Sequence, residues 1–312
     1  MCYSAQLRAD HATYIRFGGR LSLKDFAELY GHRVVEVGAK IPKALDRWFA
    51  DDASIAPLID QYNGDRLVEW QAELDKQGAR LTEANQALER KPTKKAENDQ
   101  RIAAKKIRQL RRWIEDAQRV EASPDDGRIF PAWYAPVIVL EDGKRVIKPM
   151  RYQCRPAGKP ANYDSKYPGC YNARRDNLEG FWRGQFGHTH GLMLASAFYE
   201  NVSRHRLEGR ELADGEAEEN VRIKFEPAGM DLMIVACLWS RWVGDDGEEL
   251  LSFAAITDEP PPEVAAAGHD RCIIPIKPEN VDVWLNPQGD LEKAYSILDD
   301  RERPYYEHRL AA

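Results

Sequence analysis

Between Asp65 and about Val120 the sequence commits to two long amphipathic helices, and everything else must be arranged around them. Leu67, Trp70, Leu74, Leu81 and Leu88 are spaced by three, four and seven, with Glu, Lys, Arg and Gln between them. That spacing returns the apolar residues to one face of a 3.6-residue helix. Lys91-Pro92-Thr93 ends the run, because proline removes an amide donor and its ring clashes with the preceding turn. Ile102, Ile107, Leu110, Trp113 and Ile114 mark a return helix, so residues 65–120 are predicted to form an antiparallel helical hairpin. Its basic residues (Lys94, Lys95, Lys105, Lys106, Arg108, Arg111, Arg112) could touch nucleic acid, but a solvated face offset by glutamates is the reading favoured here. The hairpin itself reads as a packing or interaction arm, with a protein partner as its natural client.

The flanking sequence has a different texture. Ser22 caps a short helix over 23–30, Ile41-Pro42 opens another through Phe49, and Pro57 and Asn63-Gly64 are breaks. Residues 3–20 carry little periodic signal. After the linker Ser123-Pro124-Asp125-Asp126-Gly127 the pattern turns to strands. Residues 134–140 and 145–150 flank the hairpin turn Glu141-Asp142-Gly143-Lys144. Further strands are expected at 192–199, 221–225, 232–239 and 250–256, and short helices near 280–285 and 291–298. The expected fold is α+β, mainly antiparallel strands, with the helical hairpin of 65–120 inserted into a single domain spanning 1–312.

Charge and cysteine usage narrow the function classes. No apolar run of about 18 residues exists, and no charged leader precedes an apolar segment, so neither a membrane span nor a signal peptide is expected. Cys2, Cys154, Cys170, Cys237 and Cys272 form no CxxC pair, which argues against a zinc site and a disulfide framework. The expectation is a reduced, cytoplasmic monomer. Net charge is −6, yet residues 128–210 are rich in Lys and Arg and poor in acids, and a local basic face can bind phosphates on an acidic chain.

Met1-Cys2 carries the sharpest chemistry. Removal of Met1 would leave Cys2 with a free α-amine beside its thiol, with pKa values of about 7.7–8.0 and about 8.5 before any tuning. An aldehyde forms an imine at such a nitrogen, and the sulfur then closes a five-membered thiazolidine ring. An internal cysteine cannot do this, because its nitrogen is an amide.

Four stretches then fall in a telling order: Met1-Cys2, Tyr171-Asn172-Ala173-Arg174, Ala197-Phe198-Tyr199-Glu200 and Gly268-His269-Asp270-Arg271. Ala236-Cys237-Leu238-Trp239, Phe253-Ala254-Ala255-Ile256-Thr257 and Trp284-Leu285 accompany them. Together they resemble the SRAP family (SOS-response-associated peptidase), over the first few residues and roughly 128–290. The resemblance implies an SRAP-like core that captures abasic sites in single-stranded DNA as a covalent crosslink, shielding the lesion. It implies Cys2 as nucleophile, Glu200 and His269 as proton handlers, and Asn172 and Arg174 as holders of the N-terminus, the open sugar or its phosphates. Arg175, Arg155 and Tyr152 complete the expected DNA contacts. Tyr152, with Trp133, Tyr134, Tyr167 and Trp182, is a candidate to wedge or stack beside the missing base. No metal or organic cofactor is implied. The activity expected is lyase-type crosslinking, with peptidase chemistry limited to the N-terminus.

The sequence departs from the family pattern in four places. Cys2 is followed by Tyr3-Ser4 rather than Gly-Arg, Asn201 follows the glutamate in place of Trp, and Arg271-Cys272-Ile273 replaces Arg-Met-Pro. Arg151-Tyr152-Gln153-Cys154-Arg155-Pro156 stands where a tryptophan-glycine stretch is expected. Two other function classes stay open on residues alone. An N-terminal cysteine also serves amidotransferases and related hydrolases, where the α-amine is the base. A non-catalytic scaffold would work through the hairpin.

Overall fold

The computed structural model describes residues 3–8, 10–17, 19–35 and 38–311. In chain order the elements are β1 (Ser4–Leu7), α1 (His11–Arg16), β2 (Arg20–Leu21), α2 (Leu23–Val35), α3 (Lys43–Asp46), α4 (Ala56–Arg90) and α5 (Lys94–Gln118). They continue with β3 (Arg128–Ile129), β4 (Tyr134–Glu141), β5 (Lys144–Tyr152), α6 (Tyr163–Lys166), β6 (Asn172–Arg174), β7 (His190–Ser203) and α7 (Arg204–Leu207). The last are β8 (Asn220–Pro227), β9 (Met233–Val243), β10 (Glu249–Asp258), α8 (Pro262–Ala266), β11 (Cys272–Ile273), α9 (Val281–Leu285), α10 (Leu291–Asp299) and β12 (Tyr306–Leu310). The chain divides into two compact units. One holds residues 1–29, 38–48 and 125–312, the other 30–37 and 49–124.

The first unit is a mixed, mainly antiparallel barrel. β4 pairs with β5 and β7, β7 with β9, β9 with β10, and β10 with β5, which closes a ring of five strands. A closed ring requires an even number of antiparallel pairings. Four are antiparallel, and the fifth, β5 with β10, is parallel, through Arg151–Ser252 and Tyr152–Phe253. The β4–β5 turn has Asp142 at φ 49° and Gly143 at φ 71°, the double left-handed conformation that matches strand twist in a two-residue hairpin.

β7 is the spine of this unit. Its first half closes the barrel against β4 and β9. Its second half runs on between β1 and β8, with Ser4 opposite Tyr199 and Glu200 opposite Ile223. Alternation along β7 sends Phe198 and Val202 into the core, and Phe198 stacks on Phe225 at 5.0 Å between centroids. Glu200 shares that inward face. His190, at the start of β7, is buried and neutral. Its Nε2 accepts from the Gly187 N–H (2.9 Å), which leaves the Nδ1 proton for the Trp284 carbonyl (3.0 Å). Burial pushes its pKa down to about 3, so it holds α9 against the barrel rather than titrating near neutral pH.

The second unit is the hairpin α4–α5. α4 begins at Ala56 rather than Asp65, and Asn63-Gly64, expected to break the chain, lie inside it. A helical glycine costs about 1 kcal/mol relative to alanine. Neighbouring Tyr62 offsets this by carrying the Arg33 guanidinium 4.0 Å over its ring. α5 starts where expected: Pro92 ends the connection and the Thr93 hydroxyl accepts from the Ala96 N–H (3.2 Å). Ala96, Ala103, Ile107 and Leu110 form its buried face.

Candidate active site

The sequence of α8 and the turn after it sets one half of the site. The short helix ends at Gly268, whose φ of +89° is accessible at little cost only to glycine. The Gly268 N–H returns to the Ala265 carbonyl (2.9 Å) and the His269 N–H to the Val264 carbonyl (3.3 Å). That is the Schellman pattern, and it fixes His269 immediately beyond the helix end. The imidazole Nε2 lies 3.0 Å from Oε2 of Glu200. Its Nδ1 lies 2.9 Å from the Arg271 carbonyl and 3.3 Å from the Arg271 N–H, so the 269–271 turn holds the ring in place. Nε2 thus faces the buried carboxyl at hydrogen-bonding distance.

Glu200 is 1% exposed and His269 8%. Burial raises the Glu200 pKa, and the His269 ring and the Tyr3 backbone N–H oppose that shift without cancelling it. The Tyr3 contact places the start of the described chain on the same carboxyl. Cys2, the expected nucleophile, lies outside the described residues. The other cysteines are poor nucleophiles near neutral pH: burial pushes the thiols of Cys154 and Cys272 up to about 12, that of Cys170 to about 11, and that of Cys237 higher still.

Asn172 opens β6, buried, with Asn172, Ala173 and Arg174 in parallel register against Ala255, Ile256 and Thr257 of β10. Thr257 also pairs with Ile273 of β11, so the NAR strand and the segment after His269 flank one stretch of β10. Asp176 ties them together. It takes a two-point contact from Arg174 (3.1 and 2.6 Å) and lies 3.5 Å from Arg271. Arg174 stays half-exposed at the surface.

The remaining expected DNA contacts are placed otherwise. Arg175 bridges Asp258 (3.1 Å) and Asp299 (2.5 Å). Arg155 is buried, clamped on Asp164 (3.2 and 2.6 Å), with its guanidinium 4.3 Å over the Trp242 ring. Tyr152 has no exposed surface and packs between Tyr171 and Phe253.

Two residues without a role at the sequence level now have one. Asp176 is the first; its only sequence signal is the Arg-x-Asp spacing from Arg174. Arg128 is the second. From β3 it donates to the Ser4 hydroxyl through Nε (3.2 Å) and a terminal nitrogen (3.1 Å), and its guanidinium lies 3.6 Å over the Tyr199 ring. An arginine thus holds position 4 from outside, where the family pattern has an arginine at that position. Nothing local in the sequence announces a contact across 124 residues. Among the described residues no group of three or more His, Cys, Asp or Glu is arranged to hold a metal ion, and no helix is long and apolar enough to cross a membrane.

Against known proteins, the family model described as SOS response associated peptidase (SRAP) matches residues 91–310. Among solved structures, the chain is similar to a protein from Bacteroides thetaiotaomicron (15% identity, 60% of this chain and 78% of that one, TM-score 0.47). It is also similar to one from Bordetella bronchiseptica (18%, 62% and 90%, TM-score 0.47) and to a phage-related protein from the same organism (18%, 64% and 86%, TM-score 0.45). No curated protein matches.

Proposed function

The chain belongs to the SRAP family, and on that premise we propose that it captures abasic sites in single-stranded DNA through Cys2, freed by loss of Met1, as a thiazolidine. The family's description ties it to the response to DNA damage. The observation that carries the finer reading is the buried Glu200–His269 contact, with the Tyr3 backbone on the same carboxyl. Tyr3 is one peptide bond from Cys2.

The chemistry balances without an oxidant, reductant or metal. The ring-opened abasic sugar presents an aldehyde. The Cys2 amine bonds the aldehyde carbon and gives a carbinolamine. Protonation of its hydroxyl releases water and leaves an imine. The sulfur then bonds the same carbon, the C=N bond becomes a single bond, and the nitrogen takes up a proton. A carboxyl whose pKa is raised by burial, in contact with an imidazole, suits both the protonation of the leaving hydroxyl and the deprotonation of the attacking amine. Arg174, half-exposed at the edge of β6, is the DNA contact this reading favours, as a fork for a flanking phosphate. Arg155, Arg175 and Tyr152 serve the scaffold.

The test is a denaturing gel of the untagged protein, with loss of Met1 verified by intact mass, mixed with a single-stranded oligonucleotide carrying one abasic site. A heat-stable shifted band is expected with the native N-terminus, and none with Cys2→Ala or with residues added ahead of Cys2. His269→Ala should slow band formation without abolishing it. Absence of the band from protein with a free Cys2 would overturn the proposal.

A further inference from the structure

The outer face of α5 carries an unusual charge arrangement. Lys94, Arg101, Lys105, Arg108 and Arg112 are spaced by seven, four, three and four, so they fall within one narrow sector of the helix. All five are exposed. The buried residues Ala96, Ala103, Ile107 and Leu110 lie on the opposite side. At 1.5 Å per residue the ridge is about 27 Å long.

The rest of the hairpin shows how this chain normally handles charge. Arg66 pairs with Glu69 (2.5 Å), Lys76 and Lys106 with Glu73 (3.6 and 3.7 Å), and Arg80 with Asp99 (2.5 Å). On the ridge, Arg101 donates to the neutral Asn98 amide (2.8 Å), and none of the five cations joins an ion pair among the described residues. Glu97 and Glu115 stand three positions from Lys94 and Arg112, yet neither forms an ion pair with the ridge among the described residues. Like charges at i,i+3 and i,i+4 destabilise a helix. Lys94 adds a second penalty, a cation in the first turn against the helix dipole.

We propose that this ridge is a second nucleic-acid surface, which docks on the phosphate backbone of undamaged double-helical DNA. A straight ridge of cations at regular rises fits a rigid polyanion of regular charge spacing. Arg and Lys without a planar pocket give backbone contact and no base readout, so binding is sequence-independent. A lipid surface fits less well, because the apolar face that an interfacial helix would insert is spent against α4. Nothing in this surface depends on the chemistry proposed for Cys2.

The experiment uses the full chain and a labelled 20-base-pair duplex without any abasic site, titrated from about 50 to 200 mM salt. The ridge variant carries Arg101→Gln, Lys105→Gln, Arg108→Gln and Arg112→Gln. A control variant of equal charge change carries Arg66→Gln, Lys76→Gln, Arg80→Gln and Lys106→Gln. Circular dichroism checks that both keep their helix. The ridge variant is expected to lose about 3–4 from the slope of log affinity against log salt and at least tenfold in affinity, at about 0.9 of slope per phosphate contact. The control should keep both. Equal losses in the two variants, no loss in either, or binding to phosphatidylserine vesicles in place of the duplex would each overturn the proposal. Because the duplex holds no aldehyde, a failure here leaves Cys2 capture untouched. Capture of a short single-stranded abasic oligonucleotide by the ridge variant should remain at its normal rate.

Discussion

Glu200 is the residue on which chemistry and stability pull in opposite directions. Burial raises its pKa above the ordinary value of 4.5, so between those two values the folded state holds a proton that the unfolded chain has lost. Stability contributed by this group is then fully present below about pH 4.5 and lost as pH rises through the folded-state value. Glu200→Gln keeps the shape and cannot ionise. Its melting temperature should gain on that of the native protein as pH is raised from 4 to 8, with the gap closing again at the acid end. A gap that widens toward low pH would reverse the sign assigned here. If the carboxyl also moves protons for capture, the same substitution should slow crosslinking by about 10²–10⁴-fold, the range general acid–base groups supply. His269 and Asn172 stand out in the sequence only through short motifs. Asp176 shows only its Arg-x-Asp spacing from Arg174, and Arg128 does not stand out at all, since a stacked cation between distant segments imprints no spacing on either one.

At the scale of elements, the turn after α8 shows how a five-residue helix can aim a side chain. Its end is set by one left-handed residue, Gly268, and a Cβ there would sit 3.0 Å from Cβ of Arg206. Gly268→Ala should therefore cost about 1–2 kcal/mol from the backbone alone. It should also shift His269 from Glu200, visible as a changed imidazole NMR signal before any loss of fold. An unaltered imidazole signal would mean that other contacts, such as the Arg271 carbonyl, suffice. Legibility also divides by element. α5, β4, β5 and β9 show their periodicity along the chain and lie close to where it put them. β1, β6 and β11 have four residues or fewer and are buried apart from Arg174, so no alternation exists to be read. β12 carries no strand signal because its apolar content is low: only its first residue is buried. Asn63-Gly64 misled in the other direction, as local breaker chemistry overruled by the long helix around it.

Across the whole molecule, local and distant contacts are sharply segregated. α4 and α5 meet through a three-residue connection, whereas the barrel joins β5 to β10 and β7 to β1, strands separated by about a hundred residues or more. Closing such long loops is entropically expensive before any contact repays it. Pulse-labelling hydrogen exchange during refolding should find the α4–α5 amides protected earlier than those of β1, β7 and β10. Simultaneous protection of both sets would show a single cooperative step instead.

The pairing of β1 has a consequence for synthesis. Its neighbours are Arg128–Ile129 on one side and Ala195–Tyr199 on the other. A ribosome adding about 5–20 residues per second needs on the order of 10–40 s to deliver the second of them. Throughout that interval the start of the chain has no β7 to dock on. If Cys2 is the working nucleophile, this is when an aminopeptidase meets Met1 on an open chain, so the maturation of the residue is timed by the order of translation.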